Sequence, residues 1–235
     1  TAFEKRKGHL GGSLSVLDIL IGLFSSKKLK LNSSNFKKKD NDKLVLSKGH
    51  TAISLYAVME ELNISNYYKL KDFNSSNKAL LEHPTLTNKN IEITTETGSL
   101  GHGLPISSGL ALGNKKNNVI CILGDGELYE GSNWEALFFI ASKKLKNLLI
   151  LVDCNKFITL GVNEKIVSQK SLKKKFKSFN FIVQEINGHN FVDLEKTIEK
   201  FSKKKFSNPM VVLCQTTKGK GIEGMENTAE IHHGF

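Results

Sequence analysis

The chain has 235 residues, 39% of them hydrophobic, enough for one sizeable α/β core, and no apolar run approaches the length needed to span a bilayer. Three cysteines without Cys-x-x-Cys spacing, with Cys121 and Cys214 inside strand-like apolar runs, exclude a disulfide framework and point to a reducing compartment. The net charge of +11 falls in short lysine clusters at 37–39, 173–175 and 203–205 without interleaved aromatics, which reads as solvated faces rather than a nucleic-acid footprint.

The opening TAFEKRKGHL has no apolar signal region, and a start at Thr1 without Met reads as a few residues missing. The expectation is a cytoplasmic protein with a single domain over residues 1–235 and neither nucleic acid nor membrane as a partner. In chain order, residues 14–24 predict a helix, 43–46 a short strand, and 51–62 a helix that starts just after Gly49-His50. Residues 63–90 are polar and irregular and read as an excursion carrying His83. Pro105 suits the first turn of a helix reaching Leu112, where its missing N–H would be orphaned anyway.

The run NVICIL at 118–123 is apolar and rich in β-branched residues, the pattern of a buried parallel strand. Residues 130–145 carry Trp134, Leu137, Phe138, Ala141 and Leu145 near helical spacing, and 147–152 form a second buried strand. Further strands are predicted at 181–186 and 210–215, with a helix at 191–201 between them. The alternation predicts a doubly wound, mainly parallel sheet with helices on both faces, without internal repeat or Pro-rich linker.

The chemistry concentrates between Gly124 and Lys156. A strand-helix-strand crossover returns parallel, so Asp125, after the first strand, and Asn155, after the second, should emerge side by side at one sheet edge. That edge is where open α/β sheets bind ligands. A carboxylate beside an amide oxygen suits a hard cation, magnesium foremost, that also takes oxygens from phosphate. Gly124 and Gly126 let backbone N–H groups approach a diphosphate closely. A lone Gly-Asp-Gly is also an ordinary turn, and the coupled Asn155 is what favours a site. Cys154 has no second soft ligand nearby and magnesium prefers oxygen, so it is assigned no role. His9, His50 and His102 follow Gly, His83 precedes Pro and His233 precedes Gly; each taken alone is an ordinary loop or core histidine, but their shared placement at strand ends suggests function.

Gly124-Asp125-Gly126, the following helix and Asn155 resemble the thiamin-diphosphate signature, and the surrounding blocks resemble transketolase. Those blocks are HLGGSLSVLDIL from His9, DKLVLSKGHTAISLY from Asp42, His83-Pro84, and ETGSLGHGLPISSGLALG from Glu96. The first takes the form found in split, two-subunit enzymes, and the resemblance runs in order from His9 to about Gly234.

The resemblance implies thiamin diphosphate and Mg2+, with Ca2+ or Mn2+ as substitutes. Asp125 and Asn155 would ligate the metal by side chains and Phe157 by its carbonyl. His50, Gly98, Leu100, Gly124, Gly126, Glu127 and His233 would also line the cofactor, and His9, His50, His83, His233 and Glu130 would be catalytic. The choice of His233 over His232 rests on Gly234. Glu130 reads equally as a first-turn acid favoured by the helix dipole. Gln215 stands where the family usually has Lys. The implied partner is a separate pyrimidine-domain, C-terminal subunit in a dimer of heterodimers, and the implied substrates are sugars or sugar phosphates, which the positive field would favour. The alternatives are a deoxyxylulose-phosphate synthase or specialised-sugar relative, and a noncatalytic, cofactor-binding chain. Rossmann dehydrogenases are disfavoured because no Gly-x-Gly-x-x-Gly follows a strand.

Overall fold

The computed structural model describes residues 1–5, 7–31, 41–64, 69–75, 80–85 and 94–228. Its elements in chain order are α1 (Ala2–Lys5), α2 (Leu10–Ser25), β1 (Lys43–Leu46), α3 (Ala52–Glu61), α4 (Gly103–Gly113), β2 (Val119–Gly124), α5 (Gly131–Lys143) and β3 (Leu148–Cys154). They continue with β4 (Phe157–Ile158), β5 (Gly161–Val162), α6 (Asn163–Ile166), α7 (Leu172–Ser178), β6 (Ile182–Asn187), α8 (Phe191–Ser202) and β7 (Met210–Gln215). Five strands form one parallel sheet in the order β1-β2-β3-β7-β6, and β4 and β5 pair separately as a small antiparallel hairpin.

The register explains why the strands read as unbroken apolar runs. Leu44, Ile120, Leu149 and Met210 lie in one row across the sheet, and the next row is Val45, Cys121, Ile150 and Val211. Successive rows point to opposite faces. The first row packs with α2, α3 and α8 through Val16, Ile19, Leu55 and Ile198, and the second with α4, α5 and α7 through Leu104, Leu137, Ile140 and Phe176. Both faces are covered, so neither needs polar residues. A third cluster of Ile53, Tyr56, Phe73 and Leu80 holds the described part of the excursion against α3.

The predicted helices and strands are all present, with shifted ends that have local causes. Helix α5 stops at Lys143 because Lys144 takes left-handed backbone, φ 48°. Helix α2 begins at Leu10, four residues before the expected start. Gly11 and Gly12 have poor helix propensity, but tertiary contacts hold them helical: Gly219 N–H donates to the Gly11 carbonyl, and the Lys48 ammonium reaches the Gly12 carbonyl. The hairpin and the short helices α1, α6 and α7 are additions. Among the described residues no helix is long and apolar enough to cross a membrane.

Candidate active site

All the parallel strands deliver their carboxyl ends to one edge, and most of the expected site residues collect there. β2 ends at Gly124, so Asp125 turns off the sheet into a 3-10 turn spanning Gly126–Tyr129; β3 ends at Cys154, with Asn155 next. The two loops are tied directly. Lys156 N–H donates to Asp125 Oδ2 at 2.8 Å and Gly126 N–H to Oδ1 at 2.9 Å, while Phe157 N–H donates to Asn155 Oδ1 at 3.1 Å. Lys156 adopts a left-handed φ of 69° to make this approach.

A cleft of about 260 Å³ opens over this junction. His9, His50, His83, Gly98, Leu100, Gly124, Asp125, Gly126, Glu127, Asn155 and Phe157 all line it, although they come from separate stretches of sequence. The His9 ring lies 5.2 Å from that of His50 and 6.2 Å from that of His83, centroid to centroid. Glycines make the convergence possible. A Cβ on Gly49 would sit 2.7 Å from Gly98 N, one on Gly98 would sit 2.9 Å from His83 Cδ2, and one on Gly126 would sit 2.2 Å from Ile158 Cγ2.

Glu127 is buried and accepts three hydrogen bonds, from Ser47 Oγ, from Gly101 N–H at 3.0 Å and from Gly124 N–H at 3.3 Å. One carboxylate thus joins the end of β1, the loop before α4 and the turn after β2. Burial raises its carboxyl above the usual range. Glu130 stands apart. It is exposed at the N-cap position of α5, where its side chain makes no capping hydrogen bond, and it does not line the cleft. His233 lies outside the described residues. His102 is exposed at the start of α4.

The structure adds residues that motif reading did not assign. Gly12, Lys48, Ile158, Thr159 and Lys218 also line the cleft. Lys48 and Asp153 form a buried ion pair at 2.5 Å beneath it. Ser15 Oγ donates to Asp153 Oδ2 at 2.6 Å and accepts from Asn155 Nδ2 at 3.0 Å, so α2 fixes the orientation of the Asn155 amide. The signal for Lys48 was its place directly before Gly49-His50. Lys218 is buried three residues beyond Gln215, with its ammonium 5.4 Å from the Phe157 ring centroid. It brings positive charge to the strand end where Gln215 has none.

Among the described residues no group of three or more His, Cys, Asp or Glu is arranged to hold a metal ion. A cation here would need Asp125, the Asn155 amide oxygen, a backbone carbonyl and oxygens from a bound phosphate, the hard-donor set that magnesium takes. Burial, reinforced by the charge of Asp153, pushes the Asp125 carboxyl up to about 6. A cation beside it would restore the charged form.

The chain's similarities agree with this geometry. The family model described as "Transketolase, thiamine diphosphate binding domain" matches residues 2–234. An apulose-4-phosphate transketolase subunit from Actinobacillus succinogenes is 35% identical over 230 residues, covering 96% of this chain and 82% of that protein. The 6-deoxy-6-sulfo-D-fructose transketolase subunit SqwG of a Clostridium species is 32% identical, with 96% of this chain and 82% of that protein covered. The crystal structure of transketolase from Campylobacter jejuni superposes with a TM-score of 0.85 at 27% identity, over 98% of this chain and 37% of that one.

Proposed function

From the premise that this chain belongs to the transketolase family through its thiamine diphosphate binding domain, we propose that it is the diphosphate-holding subunit of a two-chain transketolase. Residues 1–235 form one domain in this reading, and a separate chain brings the pyrimidine-side and C-terminal domains. Together, as a dimer of heterodimers, they transfer a two-carbon glycolaldehyde unit from a ketose or its phosphate to an aldose or its phosphate. The similar proteins named as transketolase subunits support a partner, and their two sugar names support a specialised substrate.

The observation that carries the proposal is the meeting of Asp125, Asn155 and three histidines in one glycine-lined cleft at the sheet's carboxyl edge. Asp125 and Asn155, with the Phe157 carbonyl, would hold Mg2+ against the diphosphate. Gly126 N–H would donate to a diphosphate oxygen, and Lys218 would supply positive potential there. Gly98 and Leu100 form the wall for the ring system. When bound, thiamin diphosphate supplies the nucleophilic carbon that carries the two-carbon unit. His9, His50 and His83, with His233, hold and move protons at sugar hydroxyl and carbonyl oxygens, the acid–base work to which an imidazole is suited.

The test mixes this chain with a candidate pyrimidine-domain subunit, thiamin diphosphate and Mg2+, and follows transfer from a panel of ketoses that includes apulose 4-phosphate and 6-deoxy-6-sulfofructose. Transfer should need both chains. Full-rate transfer by this chain alone, or none from any ketose with the partner bound, would overturn the proposal.

A further inference from the structure

His189 lies outside the cleft, yet it is hydrogen-bonded to Thr217, the residue directly before the cleft-lining Lys218. Strand β6 enters α8 through Asn187-Gly188-His189-Asn190, and each of the four has a separate job. Asn187 Oδ1 accepts His189 N–H at 2.9 Å, and Asn190 Oδ1 caps α8 by accepting from Val192 N–H and Asp193 N–H. Gly188 N–H donates to the Gln215 carbonyl at 2.8 Å, and a Cβ on Gly188 would sit 2.5 Å from Thr216 Cγ2. The turn therefore lies hard against the segment that leaves β7.

The imidazole completes the junction. His189 Nε2 accepts Thr217 N–H at 2.9 Å, so that nitrogen carries a lone pair and the proton sits on Nδ1. Nδ1 lies 2.7 Å from Asp18 Oδ2 on α2, which accepts that proton's hydrogen bond and fixes the tautomer. The next residue in the chain after Thr217, Lys218, is buried and lines the cleft, and Gly219 N–H donates to the Gly11 carbonyl, again on α2. Positions 11, 12, 15 and 18 lie along one side of α2 at helical spacing. That side meets Gly219, Lys48, Asn155 and His189 in turn.

We infer that His189, oriented by Asp18, is a positioning residue that clamps the segment 216–219 to α2 and so holds the Lys218 ammonium in the diphosphate-binding cleft. The link to the diphosphate rests on the function proposed above; the clamp itself does not.

Hydrogen exchange on the full chain, in complex with its partner subunit, separates the two. His189→Ala should speed exchange at the Thr217 amide tenfold or more, while peptides from β3 stay protected. His189→Gln, which can place an acceptor near the former Nε2, should recover much of the protection. Asp18→Asn should give a smaller acceleration, and it decides the matter should His189→Ala not fold. In the same samples, thiamin diphosphate Kd in saturating Mg2+ should rise at least threefold for His189→Ala, with kcat at saturating cofactor unchanged. The double variant with Lys218→Ala should bind no worse than Lys218→Ala alone. Unchanged exchange at Thr217 in a folded variant, equal behaviour of His189→Ala and His189→Gln, or additive losses in the double variant would each overturn the inference. If the wild-type complex binds no thiamin diphosphate, the functional reading fails and the exchange data still judge the clamp.

Discussion

Asp125 carries two conflicting demands in the function proposed above: it is buried, which disfavours its charge, and it stands where a cation would be held. Burial first, and the neighbouring Asp153 charge second, move its pKa from 3.8 to about 6. Between those values the folded chain binds more protons than the unfolded one. The stability this group contributes without metal is therefore full below about pH 4 and lost as pH rises through about 6. Metal binding must then displace a proton at low pH. Calorimetry in buffers of different ionisation enthalpy should find close to one proton released with Mg2+ and thiamin diphosphate at pH 5, and almost none at pH 7.5. Asp125→Asn should abolish the difference. Asp153 has the opposite role, since it neutralises the buried Lys48 ammonium from within the same network. Asp153→Ala leaves that cation buried without its counter-ion, and urea unfolding should show a loss of about 3–5 kcal/mol. The pairing of Asp125 with Asn155 was legible because strand-helix-strand crossovers fix where their ends emerge. Lys218 and Asp153 were not, because their importance depends on which loops fold back together.

The elements were legible where burial dictates periodicity. β2, β3 and β7 read directly as apolar runs because helices cover both of their faces. The β4–β5 hairpin escaped notice because each strand has only two residues, too short for any alternation to register. The early start of α2 escaped because contacts with Gly219 and Lys48 override glycine propensity there. Close packing between elements gives a test at this scale. Gly103 opens α4 directly over Ser47, and an added Cβ would lie 2.3 Å from Ser47 Cβ and 2.6 Å from its Cα. Relief requires a backbone shift of α4 away from β1. Gly103→Ala should cost about 1–3 kcal/mol in denaturant unfolding and weaken cofactor binding by disturbing the Ser47–Glu127 bond. Gly109, on the same helix with nothing within 4 Å of its added Cβ, is the control: Gly109→Ala should be neutral or stabilising.

At the scale of the whole molecule, one sheet edge gathers the carboxyl ends of β1, β2 and β3, the residues of the GDG turn and the amino-terminal end of α2 into one cleft. In the proposed function the cleft would offer a diphosphate and its cation hard oxygen donors, backbone N–H groups and the Lys218 ammonium. The chain spans 82% of its subunit-type relatives but 37% of the Campylobacter enzyme, and in the proposed function a second chain would hold the other half of the cofactor. The decisive measurement is the content of thiamin diphosphate and Mg2+ in the purified complex with the pyrimidine-domain chain, for wild type and Asp125→Ala. One of each per copy of this chain is expected in the wild type, and loss of both from the variant while the two chains remain associated. A wild-type complex without cofactor, or a variant that keeps it, would rule out this cleft as the diphosphate and metal site.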